Sequence, residues 1–290
     1  MLIANPIYDV VFKYLMKDKK VAKLLLSAII GEEIIEIDFR PIEQEVNVKD
    51  SWTVIRMDFS AKIKSRAEAE KLVIIEIQKA KLPTDIMRFR QYLGEQYIDE
   101  NNTIEVDSKR DGKKRKKALP IISIYFLGHP LEHTDIPVIK VARKYYDVSN
   151  NEEILNKEEF IESLTHDSFV VQIPSLTGRR RTELEAMLSV FDQENRTKDK
   201  HILNYKEEDL PEKYRPILRR LIAAISERKI RNTMRAEDHF IEDFKELERE
   251  NAKQKEYIKE KERALEEQNR VLEEQKKLID ELKNQLKNKP

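Results

Sequence analysis

The stretch EKLVIIEIQKAK, residues 70–81, sets one acid and one amide two residues apart inside an apolar run. Leu72, Val73, Ile74, Ile75 and Ile77 have the aliphatic, largely β-branched character of a strand covered on both faces. Side chains alternate along a strand, so Glu76 and Gln78 leave by one face and Val73, Ile75, Ile77 and Lys79 by the other. The two polar groups therefore form a single patch.

Upstream, TVIRMDFSAKIK (53–64) alternates strictly, with Ile55, Met57, Phe59, Ala61 and Ile63 on one face and Arg56, Asp58, Ser60 and Lys62 on the other. The polar turn SRAEAE joins this run to residues 70–81 and predicts an antiparallel pair. Asp58 then sits across from Glu76 and Gln78, which gives two carboxylates and an amide in one place. Such a set suits a hard divalent cation with oxygen ligands. The alternative is an outward-facing sheet surface, which ordinarily carries polar residues.

Around this pair the chain reads as helix, three strands, helix, strand. NPIYDVVFKYLMKDKKVAKLLLSAIIG (5–31) is one helix or two closely joined, with Asn5 as N-cap, Pro6 at the first helical position and Gly31 at the end. PIEQEVNVKD (41–50) is a further strand. LPTDIMRFRQYLGEQYIDE (82–100) is a helix capped near Thr84, and LPIISIYFLG (119–128) a buried strand. The order implies an α/β core with a mixed sheet. Residues 135–176 mix the strand-like IPVIKVA and SFVVQIP with a short helical NEEILNKEEFIESL, and from residue 176 onward the chain reads as helical.

The 290 residues carry 38% charged side chains, with 55 basic and 55 acidic, so there is no overall basicity to favour nucleic acid or membrane. No apolar run approaches the roughly 18 residues of a membrane span, and the N-terminal stretch has no signal-peptide pattern, so a cytoplasmic protein without a membrane partner is expected. The chain has no cysteine, which excludes disulfides, thiolate metal sites and thiol nucleophiles. Its five histidines show no metal-ligand spacing and read as surface or packing residues. Much of the charge lies in residues 237–290, one predicted helix. There Ile258, Leu265, Leu272, Ile279 and Leu286 recur every seven residues beside a polar second seam of Lys261, Gln268 and Gln275. That pattern predicts a coiled coil and a homodimer, against the alternative of a solvated helix laced by Glu/Lys pairs.

The ordered set NPIYDVVFKYL, MDFSAKI, LVIIEIQ and MRFRQYLGEQY resembles the PD-(D/E)XK nuclease family transposases, including the Rpn recombination-promoting nucleases. The resemblance covers about residues 4–128. It implies a restriction-endonuclease-like core, which with the helical region read over about 177–235 as its extension makes a nuclease-like domain of residues 1–235; the coiled coil predicted by the heptad row then occupies 236–290. It further implies a DNA endonuclease associated with recombination or mobile DNA, with Asp58, Glu76 and Gln78 as the catalytic set. Mg²⁺ or Mn²⁺ would be held by Asp58, Glu76 and the backbone carbonyl of Ile77, and Gln78 would orient the attacking water. The wider superfamily usually has lysine where this chain has Gln78, an amide that cannot act as a general base; Lys79 points to the opposite face of a regular strand.

Supporting roles fall to Asp9, as an outer metal or water ligand or else the partner of Lys13, and to Arg88 and Tyr92, four residues apart on one helix with Gln96 a turn further. The run KRDGKKRKK contributes Lys109, Arg110, Lys113, Lys114, Arg115, Lys116 and Lys117, either a clamp on a nucleic-acid backbone or a solvated loop. TGRRRTE (177–183) places three arginines at a predicted helix start, where an anion would offset the dipole. A non-catalytic protein that recruits a partner through its C-terminal helix is the competing function.

Overall fold

A computed structural model of the chain describes all residues except 41–42, 49–50, 57–58, 67–69, 79–84, 108–112 and 288–290. For 43–48, 51–56, 77–78, 85, 88, 244, 248, 274 and 278–287 the backbone alone is described. The chain divides into two units, Met1–Arg235 and Ala236–Pro290.

The first unit opens with a short strand, β1 (Leu2–Ala4), and two helices, α1 (Asp9–Met16) and α2 (Lys19–Ile30). The helices part at Asp18, whose carboxylate accepts the amides of Lys20 and Val21 as an N-cap. Helix α2 stops at Gly31, which takes a left-handed conformation (φ 79°) that a Cβ would penalise. Asn5 does not cap a helix, contrary to the sequence pattern. It is buried ahead of α1, accepts the Ile7 amide, exchanges two amide bonds with Gln193 (2.9 and 3.0 Å) and donates to the Lys200 carbonyl.

Next come β2 (Ile34–Phe39), β3 (Glu43–Val48), β4 (Ser51–Arg56), β5 (Phe59–Ser65) and β6 (Glu70–Gln78). Residues 34–39 form a strand that the sequence reading did not identify, and the alternating run 53–64 is divided between β4 and β5. Strand β4 pairs with β3 in a separate hairpin, while β5 enters the main sheet. Alternation continues through Ile55 and Phe59, so a period of two cannot mark where a strand changes partner.

The chain continues through α3 (Asp85–Ile98), the hairpin β7 (Thr103–Asp107) and β8 (Lys114–Ala118), β9 (Ile121–Leu127) and β10 (Val138–Val141). A two-residue ribbon, β11 (Tyr145–Tyr146) and β12 (Glu153–Ile154), leads to α4 (Glu159–Leu164) and β13 (Asp167–Gln172). The expected helical stretch after residue 176 is instead broken into α5 (Glu183–Leu188), several 3₁₀ turns, β14 (Ile202–Asn204) and α6 (Arg215–Ser226). Strand β14 pairs antiparallel with β1. A strand whose partner lies at the other end of the domain leaves no local signal of its own.

The main sheet has six strands in the order β10-β13-β9-β6-β5-β2. Strands β6, β9 and β13 run parallel to one another, and β2, β5 and β10 are antiparallel to their neighbours. The parallel step from β6 to β9 needs a crossover, which contains α3. On one face Val73, Ile75, Ile124 and Phe126 join the core formed with α1, α2 and α6. On the other, Leu72, Ile74 and Ile121 pack with Phe89, Tyr92 and Leu93 of α3. Strand β6 is therefore covered on both sides, as its aliphatic run requires.

The last helix, α7 (Arg228–Lys287), spans 60 residues and begins before the predicted 237, so it supplies the end of the first unit and nearly all of the second. Among the described residues no helix is long and apolar enough to cross a membrane. Replacing Asn5 by Ala should lower stability in urea by about 2 kcal/mol, because it strips buried polar partners. Asn5→Ala combined with Gln193→Ala should cost less than the sum of the single changes, since the two amides share their bonds.

Candidate functional site

Glu76 decides the character of the site. It follows Leu72 and Ile74 on the α3-covered face of β6, and the parallel register sets it beside Tyr125 of β9. Only 1% of Glu76 is exposed. The outward-facing alternative therefore fails for this residue. A carboxyl in such surroundings is costly unless it is hydrogen-bonded, protonated or bound to a cation. Its charge is felt next door: burial first, and the Glu76 carboxylate second, raise the Tyr125 phenol well above the ordinary tyrosine range. Tyr125 also packs its ring on Phe89, with centroids 4.1 Å apart. Tyr92 lies fully buried in the same cluster.

The other expected residues are placed unevenly. Asp58 lies outside the described residues, as do Lys79 and Thr84. Ile77 and Gln78 follow Glu76 on β6, in register with Phe126 and Leu127; their side chains are not described. Arg88 lies on α3 one turn before Tyr92, again with only its backbone described. Gln96 is buried, and its side-chain oxygen accepts Asn102 Nδ2 at 3.0 Å, which ties the end of α3 to the following turn. Asp9 makes the ion pair with Lys13 at 2.8 Å that its helical spacing allows. Its helix packs on the Val73/Ile75 side of the sheet, opposite the face from which Glu76 projects. Among the described residues no three His, Asp or Glu side chains gather in a way that could hold a metal ion.

The basic run is not a loop throughout. Lys109 and Arg110 lie outside the described residues and Lys113 precedes the strand, but 114–117 lie in β8, paired with β7. Its cations meet acids: Lys114 with Glu105 (3.2 Å), Arg115 with Glu159 (2.9 Å), Lys116 with Glu100 (3.6 Å) and Lys117 with Glu159 (3.7 Å). The arginines of 179–181 also differ from expectation. Helix α5 starts after them with Thr182 as N-cap and an acidic first turn, while Arg179 pairs with Asp135 and Arg180 with Asp192. No anion is needed to offset a dipole there.

Two groups of residues were not found from the sequence. Tyr125 stands beside Glu76 in the sheet and packs on Phe89; the trace of this in the sequence is a tyrosine within the apolar run IISIYFL. Arg143 joins Glu162 and Asp167, each at 3.0 Å, and donates to the Thr165 carbonyl. Beside it Tyr97 bonds His166 at 2.8 Å, with His166 held below the usual histidine range by burial and then by Arg143.

Comparison with protein-family models, with curated proteins and with solved structures finds no match to this chain. The raised phenol of Tyr125 supports a direct check. A group whose folded pKa exceeds its unfolded value contributes stability below the unfolded pKa, about 10, and loses it as pH rises toward the folded one. Tyr125→Phe should therefore flatten the alkaline loss of stability above pH ~10. Glu76→Gln should let Tyr125 ionise at lower pH, read by ultraviolet difference titration.

Proposed function

We propose that this chain is a metal-dependent DNA endonuclease of the PD-(D/E)XK type, a cytoplasmic enzyme that hydrolyses phosphodiester bonds in recombination or the movement of DNA. One observation carries the reading: the Glu-x-Gln acid, Glu76, is buried in the central strand of a mixed sheet, beneath the helix that bears Arg88 and Tyr92. A carboxylate kept in that position fits a role as a cation ligand better than a role at the surface.

The donor set fits a hard cation. Glu76 and the Ile77 carbonyl are adjacent on β6, and Asp58 is the second carboxylate that the reading needs. Antiparallel pairing sets Phe59 against Ile75; the reading requires that register to continue by one residue, so that Asp58 meets Glu76. Mg²⁺ or Mn²⁺ bound by these groups would supply positive charge to the phosphoryl oxygen and lower the pKa of water. Gln78 then has the task of orienting water through its amide, with no proton of its own to exchange near neutral pH. Tyr125, held protonated, adds no second negative charge beside Glu76.

The β7–β8 hairpin would contact the DNA backbone. Ion pairs between exposed side chains contribute little, typically under about 1 kcal/mol, so phosphate can replace Glu105 or Glu100 as the partner of Lys114 or Lys116. Serine at Lys113, Lys114, Arg115, Lys116 and Lys117 should weaken binding at low salt and flatten its salt dependence, by up to about 0.9 per lost contact on duplex DNA. An unchanged slope would leave the hairpin as a structural salt lattice.

Plasmid nicking in Mg²⁺, Mn²⁺ and EDTA tests the activity itself. Asp58→Ala and Glu76→Gln should abolish cleavage and keep the melting temperature within a few degrees of wild type, since each removes a charge without emptying the core. Gln78→Ala should be milder, slower by ~10²-fold. Cutting by either acid variant at the wild-type rate would remove the proposed site, and a wild-type chain inert in both metals would favour a partner-recruiting protein.

A further inference from the structure

Helix α7 carries an apolar strip that stands exposed along its described part. Tyr257, Ile258, Leu265, Val271 and Leu272 are 60, 54, 58, 43 and 51% exposed. At about 100° per residue, the row of Ile258, Leu265 and Leu272 and the row of Tyr257, Ala264 and Val271 bound a broad band. Lys261, Gln268 and Gln275 run down its centre. Leu278 and Ile279 extend the two rows in the sequence. A band of this width, repeated over several turns, is more than an isolated helix keeps in water.

We infer that this strip is covered by the same strip of a second copy of the chain, with the two helices parallel. Charge placement selects the partner and its direction. The flank beyond the Tyr257 row holds Glu260, Glu267, Glu274 and Glu281, acidic throughout. The flank beyond the Ile258 row holds Glu262, Asn269, Lys276 and Lys283 and turns basic toward the C-terminal end. In a parallel two-fold pair each flank faces the opposite flank of the other copy, so Glu274 meets a second Lys276 and Glu281 a second Lys283, each twice by symmetry. In an antiparallel pair each flank faces its own kind, and the glutamate rows oppose one another at any overlapping alignment.

The centre line agrees with this choice. Parallel pairing brings Gln268 to Gln268 and Gln275 to Gln275, amides that donate and accept in turn and so fix the axial register. Lys261 would approach its own copy, but its ammonium lies over the Tyr257 ring of the same helix, 5.4 Å from the centroid, and stands between Glu260 and Glu262. The inference does not depend on the nuclease reading.

The absence of cysteine allows a clean test on the full chain. Gln268→Cys and Gln275→Cys, each oxidised alone, should both give disulfide-linked dimers on a non-reducing gel. An antiparallel pair brings at most one of the two positions to its own copy, so cross-linking at one site only, or at neither, overturns the parallel arrangement. Light scattering at tens of micromolar should give the mass of two chains; a monomer or a trimer overturns the pairing. Lys276→Glu with Lys283→Glu should raise the dimer dissociation constant about tenfold, and adding Glu274→Lys with Glu281→Lys should restore it. Circular dichroism that stays constant across these variants separates lost pairing from lost folding, and failure of the swap to rescue counts against the charge assignment.

Discussion

Strand β6 is hydrogen-bonded along both edges, to β5 and β9, and covered on both faces by helices and their clusters. Its middle, residues 72–76, has no solvent side, so each side chain there must be apolar or have a reason to be polar. Its aliphatic run satisfies the first condition. Glu76 is the exception, and the surrounding architecture has consequences for it: α3 covers the face of the sheet from which it projects, Tyr125 stands beside it, and the phenol is held neutral by burial and by the neighbouring charge.

The same constraint explains the topology. A parallel neighbour such as β9 can be reached only by a crossover, and α3 provides it while bringing Phe89, Tyr92 and Leu93 onto the sheet. The opposite face is closed by α1, α2 and α6, which come from the two ends of the domain, and the β1–β14 pair ties those ends together. The buried Asn5–Gln193 amide pair fastens the same junction. One central strand thus requires cover from segments some 200 residues apart in the chain.

Charge is distributed by a different rule. On the β7–β8 hairpin the cations stand opposite acids and are exposed, so their pairing is weak and exchangeable. On α7 acidic and basic rows are segregated around the helix beside an open apolar strip. The net charge of zero hides both arrangements.

The sequence alone determined the elements whose physics is local. The β6 run, its antiparallel partner β5, the buried strand β9, the helix after β6, the Gly31 stop and the long C-terminal helix follow from periodicity, turn chemistry and left-handed backbone, each expressed within a few residues. Alternation also placed Glu76 and Gln78 on one face. It could not say whether that face met water, because burial depends on α3 and β9 arriving from elsewhere. The tertiary structure decided that Glu76 is interior, that residues 53–64 serve two sheets, that Asn5 holds Gln193 instead of capping a helix, and that 114–117 form a paired strand. The burial of Glu76 and the bonds of Asn5 rest on partners distant in the chain, which leave no period in the residues that make them; β4 and β8 pair with neighbouring strands, but unbroken alternation hides the first and a run of cations the second.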